Sequence, residues 1–236
     1  MDKLNPWKPI LKPGELTESR LINAFLDGTF PINSNLPGER DLASLLGVTR
    51  PTLREALQRL ERDGWVEIRH GKQTRVRDFW VEGNLGVTIA LAQYQDPLPP
   101  DFIANLLSVR VLLAPTYSKT AVLNAPGKIA DYLSSVEDLE ENAEIFAAFD
   151  WELHWRLTLL AKNSFFTHFM NSVRRLYEIV GIPYFSYLKT RRHSRQFYLR
   201  LRKLAAVRNS EAAGELARQV ISESAALWDE MAKKDK

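Results

Sequence analysis

Arg50 and Arg54 stand four positions apart, flanked by Thr49 and Thr52, in a segment whose apolar residues are Leu53, Ala56, Leu57 and Leu60. On a helix this spacing puts the two arginines on one face and the leucines on another. Such a cationic, hydroxyl-rich turn suits the major groove, because an arginine donates two bonds to guanine O6 and N7 while threonine hydroxyls reach base edges or phosphates. Arg40, on the preceding helix, is placed for the sugar-phosphate backbone. A second constellation is Asp150 and His154, whose i,i+4 spacing lets a carboxylate and an imidazole share one ion. A third is the stretch 174–208, with ten cations against Glu178 alone, interleaved with Tyr177, Tyr184, Phe185, Tyr187, Phe197 and Tyr198. Charge and aromatic surface together are what a coenzyme A thioester requires. The same stretch equally suits a helix face docked on Glu137 to Glu152, which holds seven carboxylates and no cation.

Nothing in the chain looks catalytic. There is no GxSxG elbow, GxGxxG turn, Walker A pattern or HExxH pair, and the four histidines are scattered. The absence of cysteine excludes disulfides, thiolate zinc sites and a cysteine nucleophile. At 236 residues, 45% hydrophobic and 26% charged, the chain has the composition of one or two ordinary globular domains. Residues 1–80 carry 13 Lys+Arg against 11 Asp+Glu, so attraction to nucleic acid has to come from local patches, doubled if two copies pair. No apolar run approaches the ~18–20 residues of a spanning helix, and Pro6 and Pro9 interrupt the opening where a signal peptide needs an apolar core. A cytoplasmic protein with no membrane partner is expected.

The elements that must position these groups follow from periodicity and punctuation. Residues 1–14, with three prolines and little periodicity, read as an arm. Helical spacing covers Glu15 to Asp27 and Gly38 to Leu46, and Gly47 falls where a helix C-cap belongs. Thr49 caps a third helix, with Pro51 in its first turn, that ends at Asp63-Gly64. Trp65 to Arg69 and Thr74 to Phe79, separated by His70-Gly71-Lys72-Gln73, predict a hairpin. This gives a winged helix-turn-helix over 15–79, followed by a connection over 80–97 that its few prolines make short and stiff. Residues 98–236 show only helical periodicity, punctuated at 124–127, 163–164, 181–183 and 209–210. The fold class expected is mainly α: a winged helix and an all-α bundle.

The run Pro37-Gly38-Glu39-Arg40-Asp41-Leu42-Ala43, then Gly47 to Leu57, then Leu60-Glu61-Arg62-Asp63-Gly64-Trp65, resembles the N-terminal signature of GntR-type transcription regulators. The segments His70-Gly71-Lys72, Asn105 to Arg110, Gly181 to Phe185, Phe197-Tyr198 and the ending Glu223-Ser224 with Trp228 are similar to the fatty-acid-responsive, FadR-type branch of that superfamily. The resemblance implies operator contacts by Arg40, Thr49, Arg50, Thr52 and Arg54, and a wing tip of His70, Gly71 and Lys72 entering the minor groove. Pro51 departs from the branch by removing a hydroxyl. A homodimer reading the two halves of a palindromic operator in double-stranded DNA is implied as well.

For the bundle, the resemblance implies a long-chain acyl-CoA effector, with no cofactor, met by Arg110, Tyr184, Tyr198, Ser224 and Trp228, that releases the protein from DNA. Arg110, in an otherwise apolar helix, is costly to bury without an anionic partner. Ile221 stands where the branch has glycine, which narrows the expected cavity. The alternative is the commoner habit of the superfamily, a small carboxylate sensed through a divalent metal. Relatives of that kind add two later histidines to the pair matching Asp150 and His154; here those positions hold Tyr198 and Ser222. No metal is therefore expected, and Asp150 and His154 read as polar groups near the ligand cavity.

Overall fold

A computed structural model describes residues 12–95, 98–99 and 101–234, and the chain falls into two units, Met1–Pro97 and Leu98–Lys236. Most of the expected arm over 1–14 and part of the proline-rich run after Asp96 lie outside the described residues.

The first unit contains α1 (Pro13–Leu26), α2 (Glu39–Leu46), α3 (Arg50–Asp63), β1 (Val66–Glu67), β2 (Arg75–Val76), α4 (Phe79–Glu82) and α5 (Leu85–Tyr94). Helix α1 begins two residues before the expected Glu15. Pro13 fits its first turn without losing a bond, and the Lys12 backbone N–H donates to Glu15 Oε2 at 3.1 Å. The stripe Leu53, Ala56, Leu57 and Leu60 is buried, as are Leu21, Ile22 and Phe25 of α1, which packs on α3. Trp65, read from the sequence as a strand residue, is a fully buried core anchor with its ring centroid 4.6 Å from Phe79 and 6.0 Å from Phe25.

Gly64 ends α3 at φ +94°, and a Cβ there would lie 2.8 Å from the Glu82 carbonyl oxygen and from Gly83 Cα. Glycine is thus required both for the left-handed turn and for the close approach of the chain after α4.

The strands are two residues each, shorter than expected. Asp78 accepts from the Trp80 N–H and starts α4 at Phe79, which takes the end of the second strand. The loop between α1 and α2 joins the ladder instead, with Asn35 bridging to Arg75. Residues 79–82 and 85–94 are helical, and α5 packs on α1 and α3. Most of the expected connection over 80–97 therefore belongs to the first unit.

The second unit is a bundle of α6 (Phe102–Asn124), α7 (Pro126–Tyr132), a 3₁₀ turn (Leu133–Asp138), α8 (Ala143–Leu160), α9 (Ser164–Phe185), α10 (Leu188–Ala206) and α11 (Ser210–Lys234). The Asn142 side chain accepts from the Glu144 and Ile145 N–H groups and the Asn163 side chain from the Phe165 N–H, capping α8 and α9, so the punctuation at 163–164 is a helix start. The break expected at 181–183 is absent. Helix α9 runs through Pro183, which forfeits only one backbone bond near the C-terminus, while burial of Phe185 holds the last turn. Gly181 serves close packing there, since a Cβ would sit 3.3 Å from Ala147.

Candidate nucleic-acid interface and effector cavity

Thr49 Oγ1 accepts from the Thr52 N–H at 3.3 Å and shares a 2.9 Å hydrogen bond with the Thr52 hydroxyl, so both threonines are held in the first turn of α3. Arg50, in the same turn, is exposed, and so is Arg40 on α2. Arg54 is not a lone cation. Its Nε donates to Glu39 Oε2 at 2.7 Å, a contact that joins the start of α2 to α3. Local sequence pattern does not pair Glu39 with Arg54, because the partners are fifteen residues apart.

The wing tip is a tight turn closed by the Lys72 N–H on the Arg69 carbonyl at 3.1 Å, with Gly71 at φ +70°. His70, Gly71 and Lys72 are all exposed. Behind them, Arg69 donates to Asn35 Oδ1 at 2.5 Å and to the Gln73 carbonyl at 3.2 Å, and Arg75 holds Glu67 at 2.9 Å and Asn33 at 2.8 Å. These residues, also missed in sequence, tie the wing to the loop before α2. The Ile68 N–H, donating to Glu61 on α3 at 2.8 Å, anchors its first strand.

In the second unit Arg110, Tyr184, Ser224 and Trp228 line one cavity, together with Asp150 and His154. The rest of the wall is largely apolar, including Leu107, Val173, Phe197 and Ile221. Tyr184 and Trp228 stack with centroids 6.3 Å apart, and the Ser224 hydroxyl donates to the Val220 carbonyl at 2.9 Å. Tyr198, expected to meet the ligand, lies outside this lining. It is fully buried on α10 and donates to Asp150 Oδ1 at 2.8 Å, so the carboxylate stands between it and the cavity chemistry.

Asp150 is the centre of a polar network. Tyr177 donates to its Oδ2, Arg110 Nη2 is 3.9 Å from the same oxygen and His154 Nε2 is 3.8 Å from it. Tyr117 and His154 Nδ1 share a 2.8 Å hydrogen bond, and the Arg110 guanidinium lies 5.2 Å from the Tyr177 ring centre. Burial drives the His154 imidazole down to about 4 despite the nearby Asp150 charge, so it is neutral at neutral pH. Burial pushes the Tyr177 and Tyr198 hydroxyls far above the ordinary phenol range. Burial also opposes the Arg110 charge, but Tyr177 and Asp150 outweigh it and its pKa rises. Two polar atoms facing this region lack a hydrogen bond among the described residues: Arg110 Nε, and the Tyr184 hydroxyl despite its proximity to Ser224.

A divalent metal does not fit these donors. Both Asp150 oxygens accept tyrosine hydroxyls beside a guanidinium, and Ser222 is exposed, its hydroxyl on the Arg218 carbonyl at 3.0 Å. Among the described residues no group of three His, Asp or Glu side chains converges. The basic stretch divides. Arg191 and Arg195 hold Glu141 at 3.0 and 2.9 Å and Arg202 holds Glu137 at 3.3 Å, so these three dock on the acidic segment. Arg192, Arg200, Lys203 and Arg208 stay exposed.

A winged helix-turn-helix joined to an all-α bundle that holds a cavity is the build of a transcription regulator. Residues 14–76 match the family of bacterial regulatory proteins, gntR family, and residues 77–235 match the FadR C-terminal domain. The chain therefore belongs to the GntR family, with a FadR-type second unit, and is a regulator rather than an enzyme. It is 37% identical to the fatty acid metabolism regulator protein of Shewanella denitrificans over 93% of this chain and 92% of that one. The protein of the same name in Pasteurella multocida is 35% identical over 97% and 96%. The solved structure of Lar, which controls expression of the Listeria monocytogenes agr system, superposes with a TM-score of 0.60 at 16% identity over 92% of this chain and 97% of that one, a likeness of fold alone. Among the described residues no helix is long and apolar enough to cross a membrane.

Proposed function

We propose that this chain is a cytoplasmic, sequence-specific regulator of fatty-acid metabolism that binds a palindromic operator as a homodimer and is released by a long-chain acyl-CoA. Arg50 and Arg54 read bases in the major groove, Arg40, Thr49 and Thr52 fix the register, and His70, Gly71 and Lys72 enter the minor groove. Two-fold pairing is needed because one weakly cationic reader supplies few phosphate contacts.

The observation that carries the effector reading is the unpartnered Arg110 Nε, with the Tyr184 hydroxyl beside Ser224, at a cavity walled mainly by apolar side chains. A buried polar atom without a partner is unfavourable, and an acyl thioester carbonyl on an apolar tail complements both features. The cavity has about 80 Å³ of free volume, whereas pockets for ligands of drug size run to roughly 300–1,000 Å³. A long chain fits only if helices or side chains move apart. That requirement links binding to a change of arrangement, and a ligand that prefers the opened bundle shifts the population away from the DNA-competent one.

Calorimetric titration with acyl-CoAs of graded length, with and without an operator duplex, tests this. Heat of binding is expected for long chains, with weaker affinity when operator is present. No heat at any length, alongside stoichiometric zinc or nickel in the purified protein, would reject the acyl-CoA reading in favour of metal-dependent carboxylate sensing. Binding indifferent to operator would keep the ligand and remove the regulation.

A further inference from the structure

The Glu39–Arg54 pair is exposed, its side chains retaining 33% and 59% of their accessibility. Solvent-exposed pairs add little to stability, so this contact is better understood by what it does to Arg54. A free arginine samples many rotamers and can present either its Nε/Nη edge or its Nη/Nη fork. With Nε engaged by Glu39 at 2.7 Å, the fork is the edge left to donate outward. Two outward N–H groups match guanine O6 and N7, and fixing them before DNA arrives removes an ordering cost from the specific complex.

The carboxylate has a second consequence. Glu39 is the first residue of α2 and adjoins Arg40, the residue assigned to the phosphate backbone. A negative charge there opposes any complex held by phosphates alone, because that binding is electrostatic and blind to sequence.

We propose that Glu39 is a specificity-determining positioning residue: it aims the Arg54 fork at a base pair and lowers affinity for non-operator DNA. The inference rests on the reading of Arg54 as a base contact. The test uses the full-length chain, a duplex selected by the wild-type protein from a random library, and a scrambled duplex of equal length, with binding followed by anisotropy at several salt concentrations. Glu39→Ala is expected to lower the selected-to-scrambled affinity ratio about tenfold and to relax the preference for guanine at one position of each half-site. Glu39→Gln keeps an acceptor for Arg54 without the charge, so it should bind scrambled DNA more tightly yet retain the guanine preference. In an Arg54→Ala background, Glu39→Ala should change base preference no further.

Thermal unfolding of each variant separates this from a purely structural role, which would shift the midpoint and leave the base-preference profile intact. Unchanged base preference in Glu39→Ala, with preference lost in Arg54→Ala, overturns the role of Glu39 while keeping the recognition helix. Unchanged preference in Arg54→Ala shows instead that the assignment of the base contact itself is wrong, and the proposal falls with it.

Discussion

Tyr198 and Asp150, forty-eight residues apart, meet through a buried hydrogen bond of 2.8 Å from the tyrosine hydroxyl to Oδ1. With Tyr177 on Oδ2 and Arg110 alongside, the carboxylate ties together α6, α8, α9 and α10, the helices a long ligand would have to part. Removing the Tyr198 hydroxyl takes one hydrogen bond from a buried charged acceptor, and Tyr198→Phe should cost about 1.5–3 kcal/mol. Asp150→Ala should cost more, about 3–5 kcal/mol, because it strands the Arg110 charge. Urea unfolding measures both. Losses under ~0.5 kcal/mol would mean that the network is not coupled as its geometry implies.

The same packing predicts a pH dependence. His154 is pushed down to about 4 by burial, below its ordinary value near 6.5. Between those values the unfolded chain binds a proton that the folded chain does not, so stability falls as pH is lowered from about 6.5 to 4, at up to about 1.4 kcal/mol per pH unit from this group. Above 6.5 the imidazole is neutral in both states and contributes no slope. His154→Gln should flatten this part of the stability profile relative to wild type; identical profiles would place the His154 proton elsewhere.

In the first unit, Arg50→Ala should reduce operator binding by about 1–3 kcal/mol and relax specificity at its base, if the arginine donates two bonds to guanine. Arg40→Ala should weaken all duplexes alike and reduce the slope of log K against log salt by about one. Titrations against operator and random duplexes distinguish the two. An unchanged affinity ratio in Arg50→Ala would move the reading surface away from the start of α3.

Much of the winged helix's local geometry was legible because its determinants are local. The Thr49 cap, the left-handed Gly47 and Gly64, the buried leucine stripe and the glycine of the wing tip each follow from residues within one turn. What stayed hidden is non-local. Glu39 finds Arg54 fifteen positions away, Asn35 finds Arg69 thirty-four away, and Tyr117 finds His154 thirty-seven away. The expected break at 181–183 failed for a related reason: glycine and proline weaken a helix locally, but packing of Gly181 on Ala147 and burial of Phe185 outweigh that. Tyr198 belongs with these non-local cases: a sequence pattern marks a buried tyrosine but does not give its partner, Asp150, forty-eight positions away.

Ile221, buried on α11 and part of the cavity wall, offers the most direct test of how ligand size is set. Replacing it with alanine removes three carbon atoms from the wall of a cavity with only about 80 Å³ of free volume. Large-to-small core substitutions of this kind usually cost about 2–5 kcal/mol, so Ile221→Ala should unfold at lower urea concentration. A bound acyl chain that fills the added space recovers part of that loss, since each buried methylene contributes about 0.8 kcal/mol. The chain length of tightest binding should therefore move longer by one or two carbons, and the destabilisation should shrink in the presence of that acyl-CoA more than in the presence of shorter ones. Val173 and Leu107 line the same cavity and serve as comparison positions on α9 and α6. Calorimetry across a series of chain lengths, paired with urea unfolding at saturating ligand, reads both effects. An unchanged optimum in a variant that is measurably destabilised would place the acyl chain elsewhere in the bundle, away from α11.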